Sequence, residues 1–258
     1  MIDNKIKYVN KFYNNSGWKE RNKNTLDATL FEDLRSNAQE YVSNCRKRLQ
    51  KYIPKKGINI LDFASGPIQY PEYLEYSKNF KLRHCIDFSK LAIETAKLKL
   101  GSKGKYYCND FFKIKFKKNY FDCILSMHTI YHIDKKLQAK AVRKLIDISK
   151  KNAPIIIVYS NSNTLISKIK RIILKKLKTN KTNLYFFCHP IKWWSQFEKT
   201  TNVEIKPWRS FSSDHQKIIF PDNIFGKFLL RILFVVEGKF EKFFVNNFQY
   251  YTIILKKK

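Results

Sequence analysis

Apolar residues recur every three to four positions from Leu30 through Leu34, Tyr41, Cys45, Leu49 and Ile53, which predicts a helix over 26–52. Pro54 and Gly57 end it, and the period then changes. INILDFA (58–64) is an apolar run of strand length, followed by a short helix near 70–78 and a second strand in RHCIDF (83–88). SKLAIETAKLKL (89–100) is a helix with Ser89 as its cap and Gly101 just past its end. KYYCNDF (105–111) and YFDCILSMHTI (120–130) are strands, helix 135–150 follows, and PIIIVYSN (154–161) is the fifth strand. Beyond an insertion, 190–200 has helical spacing, while VEIKPWRSF (203–211) and FQYYTIILK (248–256) have strand character. Strands alternating with helices predict a mostly parallel sheet covered on both faces, with a ligand site at the carboxyl ends of its strands.

Composition narrows the class. A chain of 258 residues with 44% hydrophobic and 16% aromatic side chains can bury a core and is not disordered. No apolar stretch has spanning length; the nearest, FLLRILFVV (228–236), is short and carries Arg231. The amino terminus has no apolar signal region, and the five cysteines are scattered without a CxxC pair. Reduced thiols, no metal centre and a cytoplasmic location are therefore expected. The net charge of +30 invites a nucleic-acid reading, but only nine of the 51 basic residues are Arg. A phosphate-reading surface would use more of the bidentate guanidinium, so the lysine bias fits genome composition better.

Three strand ends carry candidate chemistry. Asp62-Phe63-Ala64-Ser65-Gly66-Pro67 is a small-residue turn that lets backbone N–H groups approach a ligand. Asp87, 21 residues after Gly66, ends the second strand, where a carboxylate can accept from ribose hydroxyls. Asn109-Asp110 ends the third, placed for an adenine amino group. In order and at successive strand ends, these residues point to a nucleoside site.

ILDFASGPIQYPEYL, CIDFS, CNDFF and FDCILSMHTIYHI together resemble the class I S-adenosylmethionine-dependent methyltransferases, nearest the small-molecule and glycan-modifying branch, over roughly 45–165. The resemblance implies a Rossmann-like, seven-stranded sheet with an antiparallel last strand. An amino-terminal helical cap (1–53) would precede a core (54–258) with insertions near 162–189 and 212–246. It implies S-adenosylmethionine as cofactor, with Asp62, Ala64, Ser65 and Gly66 along its methionine part and Asp87 on the ribose. Phe88, Asp110 and Phe111 would frame the adenine, and Pro67, Asn109 and Met127 would complete the contacts. Ala64 and Ile68 stand where the family has glycines, so the loop is less open; a sulfonium ligand tolerates that better than the pyrophosphate of NAD. The implied reaction is O-methylation of a small molecule, sugar or glycan precursor. An RNA or nucleic-acid methyltransferase and a catalytically silent methyltransferase-like binding module are the alternatives.

An alcohol acceptor needs a base. Ser126-Met127-His128-Thr129-Ile130-Tyr131-His132 supplies two candidates, His128 first because it lies nearer the strand end, then His132. Either could instead only shape the pocket. Phe12, Tyr13 and Trp18 are candidates for a lid, or for ordinary packing, whereas Asp33, Arg35 and Arg46 read as solvated charges. His189-Pro190 and Trp193-Trp194 could line an acceptor pocket or pack in the core. Residues 148–197 hold ten basic and no acidic side chains, and both 164–178 and Ile224–Val245 are broadly apolar with basic flanks. That pattern suits peripheral association with the inner face of an anionic membrane, or helices packed on their own domain. Sequence-specific nucleic-acid binding is not expected, and base amino or cytosine C5 methylation is not indicated, since neither the (Asp/Asn/Ser)-Pro-Pro-aromatic signature nor a Pro-Cys dipeptide occurs.

Overall fold

The computed structural model describes residues 8–21, 24–161, 164 and 184–258. Its main sheet contains β1 (Gly57–Phe63), β2 (Phe80–Asp87), β3 (Gly104–Cys108), β4 (Cys123–Met127), β5 (Pro154–Ser160), β6 (Thr201–Arg209) and β7 (Tyr250–Lys257). They lie in the order β3-β2-β1-β4-β5-β7-β6. The first five pair in parallel, and β7 runs antiparallel to both β5 and β6. The chain winds outward from β1 to β3, then returns to lay β4 on the other side of β1. That reversal opens a crevice at the carboxyl ends of β1 and β4.

Burial on both faces explains the unbroken apolar strands. Along β5, Ile155, Ile157 and Tyr159 enter one core with Leu61, Ile124 and Leu145, while Ile156 and Val158 enter the other with Ile60, Tyr41 and Leu49. The second core therefore includes the amino-terminal helix α2 (Gln39–Lys47), which covers the sheet as a structural layer.

The helix expected over 26–52 is interrupted. It comprises α1 (Leu26–Phe31), α2 and a 3-10 segment Arg48–Tyr52. Glu32 turns extended (φ −112°, ψ 150°), and its carboxylate reaches buried Arg46 and Arg209. Asp33 and Arg46 are buried in ion pairs and Arg35 is bonded to Asp33, which corrects their reading as solvated charges. Strand expectations also overran: β3 stops at Cys108, and β4 at Met127, where His128 takes a left-handed φ of +57°. Helices α3 (Pro71–Glu75), α4 (Lys90–Leu100) and α5 (Lys135–Ile148) fall close to expectation, with Ser89 capping α4 through the Ala92 N–H at 3.2 Å. The 190–200 segment is a 3-10 helix, Ile191–Phe197. The later insertion folds as α6 (Ser213–Ile219), α7 (Ile224–Lys239) and α8 (Glu241–Asn247). The expected basic amphipathic helix over 164–178 lies outside the described residues apart from Thr164.

Candidate active site

The β1–α3 loop forms the floor of the crevice. Ala64, Gly66 and Ile68 all adopt left-handed φ (+56°, +55° and +51°), so two non-glycine residues hold a conformation that glycine takes freely. Asp87 secures this loop. Its Oδ2 accepts the Gly66 N–H at 2.9 Å, and its Oδ1 accepts the Ser89 N–H at 2.8 Å. Burial pushes the Asp87 carboxyl up to about 6, although the backbone N–H groups of Ser89 and Gly66 pull the other way.

The amino-terminal segment roofs the loop. A Cβ at Gly66 would lie 3.0 Å from the Trp18 ring, a tight contact that adds to the strain a side chain would meet at its φ of +55°. Trp18 stacks on Tyr13 at 4.8 Å between centroids, and the Tyr13 hydroxyl donates to Asp27 at 3.3 Å. Among the described residues, the buried Trp18 indole N–H has no hydrogen-bond partner.

Loop and roof enclose a cavity of about 540 Å³. Ala64, Ser65, Gly66, Pro67 and Asp87 line one end, continued by Phe88, Asn109, Asp110, Phe111 and Met127. Asp110 uses Oδ1 on the Phe112 N–H at 2.8 Å, leaving Oδ2 for a ligand. Phe111 is 2% exposed and packs on Phe63 at 4.3 Å, so it serves the core as well as the cavity wall. Asp62 requires a correction: its carboxylate is buried in an ion pair with Arg83, and it does not line the cavity. Strand alternation turns its side chain away from the ligand face.

The other end of the cavity is polar and aromatic. His132 Nδ1 lies 2.8 Å from the Tyr185 carbonyl oxygen. Only an N–H can satisfy a carbonyl, so this contact assigns the proton to Nδ1 and the lone pair to Nε2. Burial lowers the His132 pKa, keeping the ring neutral. His128 is differently placed: its Nδ1 meets the Tyr131 hydroxyl at 2.9 Å, and its ring packs edge-to-face on Trp208 and Tyr250. Burial and then the charge of Arg209 push it down to about 3. Both histidines are thus held neutral, and they differ in what their Nδ1 atoms meet: the Tyr131 hydroxyl for His128 and the Tyr185 carbonyl for His132.

Asp27, Glu32, Arg209 and Tyr250 complete this end. Burial lifts the Asp27 carboxyl to about 7, partly offset by the Tyr13 hydrogen bond. Burial also opposes the charge on Glu32, but Arg209 and Arg46 outweigh it and the net shift is downward. Leu184 and Phe186 from one insertion, and Ser212, Ser213 and Asp214 from the other, close the wall.

A family model described as a methyltransferase domain matches residues 61–157, from β1 through β5. The match spans the strands that line the crevice and supports a methyltransferase reading of this region. Solved structures share the fold. An S-adenosylmethionine-dependent methyltransferase from Archaeoglobus fulgidus is 17% identical, with 85% of this chain and 97% of that one covered and a TM-score of 0.55. N-methyltransferase NodS from Bradyrhizobium japonicum, in complex with S-adenosylhomocysteine, is 11% identical over 92% and 93%, with a TM-score of 0.56. Phosphoethanolamine N-methyltransferase 2 from Haemonchus contortus, in complex with S-adenosylmethionine, is 14% identical over 83% and 52%, at 0.52. Comparison with curated proteins gave no match.

The cavity residues fit S-adenosylmethionine, the ligand in the Haemonchus contortus structure. Gly66 provides a cradle that a side chain would fill, Asp87 and Asp110 offer acceptors for hydroxyl and amino groups, and Trp18 offers an unpaired donor. Sequence reasoning missed Asp27, Glu32, Arg209 and Tyr250 because their meeting is long-range; Glu32 and Arg209 are 177 residues apart. His189 stacks on Trp193 at 4.3 Å and Trp194 is fully buried; none of them lines the cavity, so the packing alternative describes them. Among the described residues, no cluster of three or more His, Cys, Asp or Glu could hold a metal ion.

Proposed function

We propose that this protein is an S-adenosylmethionine-dependent methyltransferase that methylates a hydroxyl oxygen of a small molecule, sugar or glycan precursor, with His132 as general base. The observation that carries this reading is the His132 tautomer, fixed by the Tyr185 carbonyl at 2.8 Å, which leaves a neutral Nε2 lone pair at the acceptor end of the cavity. The cofactor supplies an already electrophilic methyl group, so the protein's main task is alignment. As the acceptor oxygen forms its bond to carbon and the carbon–sulfur bond breaks, the hydroxyl proton passes to Nε2. Tyr185 accepts from Nδ1 throughout and holds the ring. Trp18 and Tyr13 cover the loop and exclude water. The test is methyl transfer from isotopically labelled S-adenosylmethionine to matched alcohol and amine acceptors, followed by mass spectrometry of the products.

A second reading, methylation of an amine, is favoured by one specific feature. Asp27 and Glu32 present carboxylates at the acceptor end among the rings of Tyr70, Tyr73 and Tyr250, surroundings that suit a cation. Label on nitrogen alone would select this reading, with Asp27 as the proton acceptor.

A further inference from the structure

Nine of the fourteen large apolar side chains left exposed among the described residues fall between Ile218 and Phe243. Helix α7 explains the concentration. It buries Gly226, Leu230 and Glu237 against α2 and the sheet. At 100° per residue, Phe225, Phe228, Ile232 and Val235 form a second stripe on the opposite side, and each is 43–58% exposed. A helix that packs on its domain needs one apolar face; this helix has two. Ile218, Ile219 and Ile224 extend the patch at one end, and Phe240 and Phe243 at the other.

The charges around the patch identify its occupant. Lys217, Lys239 and Lys242 are exposed and make no ion pair among the described residues. The acids of the same stretch are largely engaged: Glu237 is buried on Arg48 at 2.6 Å and Glu241 holds Lys206 at 2.7 Å, leaving Asp222 exposed. A second copy of this chain would bring the same cations face to face within a protein of net charge +30. An anionic lipid surface would complement them while taking up the aromatic and aliphatic stripe. No helix among the described residues is long and apolar enough to cross a membrane, so such docking would be in the interfacial plane.

The patch also adjoins the cavity. Ser212, Ser213 and Asp214 are cavity wall, and Ile218 lies five residues along the same helix, about 7.5 Å away at the helical rise. We infer that the α6–α8 face docks on an anionic lipid surface and presents the acceptor end of the cavity toward it. This surface is independent of which acceptor atom is methylated.

Co-sedimentation with vesicles tests the inference, using pure phosphatidylcholine and an equimolar mixture with phosphatidylglycerol. The wild type is expected to bind the mixed vesicles at least about tenfold better than the neutral ones, and less at high salt. Phe225→Ser/Phe228→Ser/Ile232→Ser should lower that binding by about tenfold or more. Lys217→Glu/Lys239→Glu/Lys242→Glu should abolish the preference for anionic vesicles, since each basic residue contributes about fivefold. Both variants alter exposed positions and should retain S-adenosylmethionine affinity and Tm. Equal binding to both vesicle types, or unchanged binding by either variant, would overturn the inference. So would a wild-type dimer that the serine variant converts to monomer, because a second copy would then cover the face. Cofactor affinity is read separately, so these failures would leave the methyltransferase reading intact.

Discussion

Asp87 bridges Gly66 and Ser89, accepting one backbone N–H on each carboxylate oxygen at 2.9 and 2.8 Å. The residue expected to bind ribose thus fixes the β1–α3 loop that floors the cavity. Asp87→Ala should weaken S-adenosylmethionine binding by at least about 100-fold, because two hydrogen bonds to a charged acceptor contribute about 1.5–3 kcal/mol each. Titration calorimetry reads the difference directly. Equal affinity in the two proteins would remove Asp87 from the site.

The same carboxylate sets a pH dependence. Its folded-state pKa is raised to about 6, above the roughly 3.9 of an unfolded chain. In the free protein its contribution to stability is therefore fully present below the unfolded value and lost as pH rises through about 6. Ribose recognition has the opposite requirement, since it needs the ionised acceptor. Cofactor affinity should be flat above pH 7 and fall below about 6. An affinity that is unchanged down to pH 5 would contradict this assignment.

His132→Ala should lower kcat by about 100-fold while leaving the cofactor Kd unchanged, as expected for loss of a general base. His128→Ala should have a smaller effect on kcat, because its ring is held by Tyr131 and disfavoured as a cation by burial and Arg209. The reverse ranking would return the role to His128.

Legibility followed the range of the interactions. Gly66 and Asp87 were identifiable because their roles are set by strand ends and a short spacing along the chain. Asp62 was misplaced because its partner, Arg83, is brought alongside by the pairing of β1 with β2, a register no local pattern reveals. Both histidines expected near the acceptor line the cavity, but their surroundings depend on the Tyr185 carbonyl and the Arg209 charge, neither of which is adjacent in sequence. Periodicity over 26–52 located the apolar positions yet could not register that Glu32 would leave the helix for two distant arginines.

The left-handed loop residues allow a stability test. Ala64→Gly should relieve about 1–2 kcal/mol of backbone strain against a glycine entropy cost of about 0.5–1 kcal/mol, giving a Tm that is unchanged or up to about 4 °C higher. Ile68→Gly relieves the same strain but removes a side chain that is 1% exposed. It should lower Tm, because loss of a buried aliphatic side chain costs about 2–5 kcal/mol. A clear fall in Tm for Ala64→Gly would contradict the strain argument.

The most direct measurement is of products formed from methyl-labelled S-adenosylmethionine and a panel of hydroxylated acceptors, comparing wild type with Asp87→Ala and His132→Ala. The expected result is labelled methyl on an acceptor oxygen, matched by S-adenosylhomocysteine, with turnover lost in Asp87→Ala at cofactor concentrations that suffice for wild type. Cofactor binding should persist in His132→Ala while its transfer rate collapses. Label found only on nitrogen, or transfer to oxygen that His132→Ala leaves undiminished, would contradict the account.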